Sequence, residues 1–288
     1  MAAATERRVA VVTGASRGAG AGIARALGDA GYIVYVTGRT VAEGTADLPG
    51  TIGATAAAVT ERGGQGVAVA LDHRDDAAVA ALFADIAARH ERLDILVNNA
   101  AAVTDDLLLK RPFWEKPLSQ VDIIDVGLRS AYVASYFAAP LLTRGRSGLV
   151  AFTSSFGANC YMHGPAYGAQ KAGVDKLAAD MAVDFADHGV AAVSIWMGPL
   201  LTERTLRPNP LRGPEYDPFF ETAETPEFTG RLIAALYDST SRMALSGRAL
   251  IGAELAREWG MTDAEGRQPP SHRAMLGAPP ERSRAIVR

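Results

Sequence analysis

The 288-residue sequence predicts an α/β fold, a doubly wound parallel sheet with helices on both faces. Three observations predict it. Short apolar, β-branched runs recur along the chain with helix-forming stretches between them, the pattern of strand–helix–strand units. The first run leads directly into a glycine-rich turn and then a helix. Asp72, Asn98 and Ser154 fall at the ends of three such runs, which is where open α/β sheets bind ligands.

Arg8 to Thr13 (RVAVVT) is continuously apolar, as expected of a strand buried on both faces. Gly14-Ala15-Ser16-Arg17-Gly18-Ala19-Gly20 follows, then Ala21 to Ala30, a good helix former. Strand, glycine turn and helix together make a phosphate-binding unit. Glycines let backbone approach a pyrophosphate, and the helix start offers free N–H groups and a positive dipole end. Gly14, Ser16, Arg17, Gly18 and Gly20 are therefore candidate cofactor contacts. Ile33 to Thr37 is the second strand. An acid about 20 residues past the glycines takes a ribose 2′-hydroxyl, whereas arginine suits a 2′-phosphate. Here that place reads Gly38-Arg39-Thr40, with no acid before Glu43. Arg39 and Arg17 thus favour NADP(H), with NAD(H) the alternative. The plain alternative is two solvated arginines.

Thr51 to Gly64 is expected to be a helix closed by Gly63-Gly64, and Val67 to Leu71 the third strand, ending at Asp72. Asp76 to His90 places Val79, Leu82, Phe83 and Ile86 on one helical face. Leu93 to Val97 is the fourth strand, ending in Asn98-Asn99-Ala100. After an insertion, Ala101 to Gln120, Val121 to Thr143 reads as one long helix apolar on two faces, suiting a subunit interface or a buried position. Gly148 to Thr153 is the fifth strand, Pro165 to His188 a helix and Val190 to Trp196 the sixth strand. Pro199 to Pro226 is proline-rich, carries Tyr216, Phe219 and Phe220, and is expected to be an irregular lid over an apolar substrate. Glu227 to Asp238 is a helix and Ala249 to Ile251 a last short strand. One domain over 1–260 and a polar surface tail over 261–288 are expected.

The chemistry is expected at Tyr167-Gly168-Ala169-Gln170-Lys171, with Ser154 thirteen residues before the tyrosine. Positions i and i+4 share one helix face, so phenol and ammonium project together. A phenol has a pKa of about 10, and lowering it by about three units needs roughly 4 kcal/mol. One ammonium at about 4 Å supplies that at an effective dielectric of about 20. Tyr167 would then exchange protons near neutral pH, with Ser154 holding a substrate oxygen against it. Alone, such a pair is an ordinary feature of amphipathic helices.

A net charge of −3 and a pI near 6.0 leave no basic footprint for nucleic acid. The one cysteine, Cys160, excludes an internal disulfide and fits a reducing compartment. No leader follows Met1 to Arg8, and no apolar run is long enough to span a bilayer, so no membrane partner and a cytoplasmic location are expected. The five histidines show no metal-ligand spacing.

From Val9 to Ile251 these features together resemble the short-chain dehydrogenase/reductase family. The likeness rests on Thr13-Gly14-x-x-x-Gly18-x-Gly20, Asp72, Asn98-Asn99-Ala100, Ser154 and Tyr167-x-x-x-Lys171. Phe113-Trp114-Glu115, Val126-Gly127-Leu128-Arg129, Asp175 to Asp180, Leu245-Ser246-Gly247 and Asp263 to Arg267 point to one branch of it. The resemblance implies a Rossmann fold with seven parallel strands, a nicotinamide cofactor and a homodimer or homotetramer. It implies that Tyr167 is the general acid in carbonyl reduction, that Lys171 holds the nicotinamide ribose and lowers the phenol pKa, and that Ser154 positions the carbonyl. Ser155 is the rival serine, but Gly157 three residues after Ser154 matches the family register. Asp72, Asn98, Ala100 and Thr202 join the cofactor contacts, Thr202 at the carboxamide. The family's catalytic asparagine aligns with Gly127, where a water or a main-chain carbonyl is expected to substitute, and its Pro-Gly after the sixth strand reads Met197-Gly198-Pro199. A small, lipophilic carbonyl or alcohol substrate is expected. The competing expectation is a cofactor-binding scaffold or redox sensor with little turnover, motivated by Gly127.

Overall fold

The structure, a computed structural model, describes residues 7–145, 147–283 and 285–288; most of the start expected to lack a leader lies outside them. Seven parallel strands form one sheet in the order β3-β2-β1-β4-β5-β6-β7. They are β1 (Val9–Val12), β2 (Ile33–Gly38), β3 (Gln65–Ala70), β4 (Ile95–Asn98), β5 (Leu149–Ser154), β6 (Ala191–Trp196) and β7 (Ala249–Ile251). Val11 pairs with Tyr35 on one side and with Leu96 on the other, so the strand order reverses at β1 and β4. This reversal opens a crevice at the carboxyl ends of the two strands, the ligand position of doubly wound sheets.

Six helices cover the faces: α1 (Gly18–Asp29), α2 (Ile52–Glu61), α3 (Asp76–His90), α4 (Ser130–Arg144), α5 (Pro165–Phe185) and α6 (Phe228–Asp238). Strand parity divides the core between two layers. Ala10 and Val12 pack with Ile23 and Leu27 of α1 and Ile233 and Leu236 of α6. Val9 and Val11 face the layer holding Val79 and Phe83 of α3, Ala134 of α4 and Val174 of α5. Both faces being covered explains why the strands are continuously apolar rather than alternating.

Three regions differ from the sequence reading. The helix expected over 121–143 is interrupted: Asp122–Ile124 is α-helical, Asp125–Arg129 makes a π turn, and α4 then carries Pro140 inside it. The proline-rich stretch is not structureless. Glu203–Leu206, Pro214–Tyr216 and Asp217–Glu221 are short helical turns, and Leu201 N donates to Glu224 O at 2.9 Å to tie its two ends together. The polar segment after 260 folds back onto the body. Asp263 is buried with Arg267 bound to it at 2.7 Å, and Leu276 packs beside Phe156 and Trp196. Few residues of that segment are apolar, but its polar groups find partners, which composition alone does not reveal.

Candidate active site

The glycine turn is shaped by close approach. Gly14 has φ +64°, and a Cβ there would lie 2.7 Å from the Ala100 Cα; one on Gly20 would lie 2.4 Å from the Gly14 carbonyl oxygen and 2.5 Å from Asn99 Nδ2. Only glycine suits either position. Thr13 Oγ1 accepts from the backbone N–H groups of Asn99 and Ala100, both at 2.9 Å, and Asn99 Nδ2 donates to the carbonyls of Thr13 and Gly14. The ends of β1 and β4 are thereby clamped together. Asn98 is buried, with Nδ2 donating to Ser135 Oγ at 2.9 Å; its Oδ1 has no partner among the described residues. Ser16 is buried beneath the turn.

At the start of α1, Gly18 N donates to Glu203 Oε2 at 2.9 Å. Thr202 stands over the same glycine and caps the Glu203–Leu206 turn by a reciprocal bond with Thr205. Arg17 does not reach out as a free cation. Its Nε donates to Pro49 O and its Nη2 to Gly50 O and Thr40 Oγ1, so it fastens the loop after β2 instead. Arg39 is exposed at the end of β2. Beside it Asp72 is held by Arg74 at 3.3 Å, and Arg74 and Arg39 keep its carboxyl below the usual range although burial opposes them. The bare backbone at Gly14 and Gly20 and the exposed Arg39 guanidinium fit a dinucleotide phosphate, which would displace Glu203 from the Gly18 N–H. Among the described residues no acidic or histidine cluster could hold a metal.

The second half of the site lies at the ends of β5 and α5. Tyr167 and Lys171 do project together, with Lys171 Nζ 5.4 Å from the phenol ring centre. Lys171 is only 7% exposed and donates to the main-chain carbonyl of Thr153 at 3.2 Å. The hydroxyl beside the phenol, however, belongs to Ser155: its Oγ lies 2.9 Å from Tyr167 Oη. Ser154, fully buried, points under α5, donating to Lys171 O at 3.3 Å, close to the buried Asp175. Asp175 is bound by Ser194 and Trp196. Strand parity explains the exchange: Ser154 shares the face of Phe152, which packs toward α5, so the next residue turns the other way. Strand parity points to Ser155, whereas the register of Gly157 three residues after Ser154 points to Ser154. Gly157 matters for a different reason, since a Cβ there would lie 2.5 Å from the Tyr167 ring.

The electrostatics also differ from expectation. Burial raises the Tyr167 pKa, with the Ser155 hydrogen bond opposing it, and burial lowers Lys171 to about 8, with Asp175 opposing. The resting phenol is thus held protonated rather than acidified, because desolvation outweighs the attraction that spacing alone suggests. At Gly127, inside the π turn, a Cβ would lie 2.7 Å from Gln170 Cγ, and Gln170 Nε2 donates to Gly127 O at 3.0 Å. Gln170 fills the space a side chain at 127 would need. Gly198 N donates to the buried Glu224, whose carboxyl burial pushes up to about 8.

Residues 8–210 match the short chain dehydrogenase family. The chain belongs to the short-chain dehydrogenase/reductase family. It is an oxidoreductase of a family that binds nicotinamide cofactors and acts on small molecules. Among curated relatives, human dehydrogenase/reductase SDR family member 1 is 40% identical over 278 residues, 93% of this chain and 86% of that protein. The 3-oxoacyl-[acyl-carrier-protein] reductase FabG of Staphylococcus aureus is 32% identical, covering 68% of this chain and 76% of its own. A metagenomic short-chain oxidoreductase solved in complex with NADP superposes with a TM-score of 0.66 at 28% identity, covering 85% of this chain and 96% of that one. No helix among the described residues of this dehydrogenase/reductase is long and apolar enough to cross a membrane.

Proposed function

We propose that this short-chain dehydrogenase/reductase interconverts a carbonyl and an alcohol on a small, largely apolar substrate with NADP(H), Tyr167 exchanging the proton and Ser155 holding the substrate oxygen. The observation that carries this reading is the 2.9 Å contact between the Ser155 and Tyr167 hydroxyls beside a buried ammonium. Two hydroxyls converging on one point can both bond a single carbonyl oxygen. When bound, the nicotinamide group supplies or accepts the hydride. Tyr167 begins reduction as a protonated acid, which burial ensures. As its proton leaves, the phenolate meets the charge of the Lys171 ammonium, which stands 5.4 Å from the centre of the same ring, and opposite charges attract strongly in a buried site. Lys171 carries that charge below pH about 8. In oxidation the same groups run in reverse.

Arg39, exposed where an acid would otherwise select NAD(H), supports NADP(H), and the FabG relative and the NADP-bound structural neighbour agree with that chemistry. The exposed Tyr132 and Tyr136 of α4 suit a face covered by a second copy, in a homodimer or homotetramer. Tyr167→Phe tests the reading. NADPH-dependent reduction across a ketone and quinone panel, followed by absorbance, is expected to fall about 10²–10⁴-fold while NADPH still binds. Turnover that survives the substitution would sink the proton-transfer role.

A further inference from the structure

Next to Tyr167 lies a cavity of about 420 Å³, within the size range of small-molecule pockets. Its walls contain Lys110, Arg111 and Lys116 together with Tyr161, His163 and Tyr216, and no carboxylate. Lys110 is paired outside with Glu215 at 2.6 Å. Lys116 is different. It is half-buried, its Nζ donates to the carbonyls of Leu107 at 3.3 Å and His163 at 2.9 Å, and no carboxylate among the described residues lies within ion-pair distance. A partly desolvated ammonium satisfied only by carbonyls keeps its full charge uncompensated. Burial lowers its pKa, and Lys116 helps burial to hold the His163 imidazole neutral, lowered to about 4.

His163 connects this cavity to the chemistry. Its backbone is in the left-handed region, φ 62°, rarely adopted by a side-chain-bearing residue and held there by the Lys116 bond. Its ring stacks on Tyr216, 6.5 Å away with planes 6° apart, and meets the Tyr167 ring edge-on at 5.1 Å. His163 thus touches the phenol through its ring and the Lys116 ammonium through its carbonyl. We propose that the cavity takes an anionic end of the substrate, a carboxylate on the Lys116 ammonium, so that the preferred substrates are oxo or hydroxy acids with an apolar body. This rests on the reading that Tyr167 exchanges the proton with the carbonyl.

The test compares benzoylpropionate, benzoylbutyrate and benzoylvalerate with their methyl esters. Both binding to the protein by calorimetry and NADPH oxidation are measured. A free acid of matching length is expected to bind about ten-fold more tightly than its ester, the scale of one charge-assisted hydrogen bond. Lys116→Met should remove that acid-over-ester ratio and Lys116→Arg restore it. Equal binding of acid and ester, or a Lys116→Met variant that weakens both alike, overturns the proposal, since a merely structural lysine does the latter. An acid preference that depends on Lys116 without any NADPH oxidation supports the anion site and overturns the carbonyl-reduction reading alone.

Discussion

The two ends of the crevice are built by opposite means. At the glycine turn, recognition is left to main chain: Gly14 and Gly20 are defined by the side chains they lack, and Thr13 and Asn99 merely clamp β1 to β4. At the ends of β5 and α5, the site is made of side-chain atoms, Ser155, Tyr167, Lys171 and His163, with Tyr216 of the proline-rich stretch stacked on His163. A main-chain site tolerates shifts in side-chain register and fails by steric intrusion. A side-chain site stands or falls with single atoms, and one residue of register exchanges its parts.

The sharpest break of that contrast is the serine pair. Ser155→Ala is expected to lower kcat about 10²–10³-fold with little change in a urea midpoint, by loss of a donor to the substrate oxygen. Ser154→Ala is expected to act the other way, costing about 0.5–1.5 kcal/mol of stability because its buried hydrogen bond to Lys171 O is lost. Equal kinetic losses for both would show that the β5 end is not divided this way.

Next in size is an acid-side effect at the cofactor end. His73 is buried against Thr37 Oγ1 at 2.8 Å, and burial lowers its pKa from 6.5 to about 4. The unfolded chain takes up a proton near pH 6.5 and the folded chain only near 4. His73 therefore contributes stability above pH 6.5 that is lost as pH falls toward 4, about 3 kcal/mol in full. Glu224, raised from 4.5 to about 8, works in the opposite sense across its own window. The His73 effect is accordingly read as the difference between wild type and His73→Gln in urea unfolding from pH 4 to 7. A difference that stays constant with pH would refute it.

Gly20→Ala should cost about 2 kcal/mol and weaken NADPH binding, because its methyl group meets main chain at 2.4 Å; unaltered binding by fluorescence titration would contradict a site shaped by missing side chains. Smallest is Arg39→Ala. It should raise KM for NADPH about ten-fold, with NADH unaffected, and equal shifts for both cofactors would remove the 2′-phosphate assignment.

Sequence made the main-chain end far more legible than the side-chain end. Apolar runs located all seven strands within a few residues, most of them continuously buried although the outer strand β3 is not, and Gly14 and Gly20 announced the turn because no other residue fits there. Tyr167 and Lys171 were visible from helical spacing. Ser155 was not, since two adjacent serines differ only in which way a strand end turns. Arg17 is expected at a phosphate because it is a second cation inside the glycine turn, whereas the carbonyls of Pro49 and Gly50 that engage it lie over thirty residues away. The π turn at 125–129 carries a hydrogen bond from Gln170 to Gly127 O, a contact across 43 positions that local propensity does not encode.

The segment after 260 reaches beneath the reactive end of the molecule. His272 meets the Phe156 ring at 6.0 Å and the Phe219 ring at 5.4 Å, and Asn159 Nδ2 donates to Ala278 O at 3.0 Å. A version of this protein cut at residue 260 would retain each signature residue by which such enzymes are recognised. It would nevertheless lose the bridge between the loop at Phe156 and the turn carrying Phe219, so an inventory of motifs would score as whole a protein missing one wall.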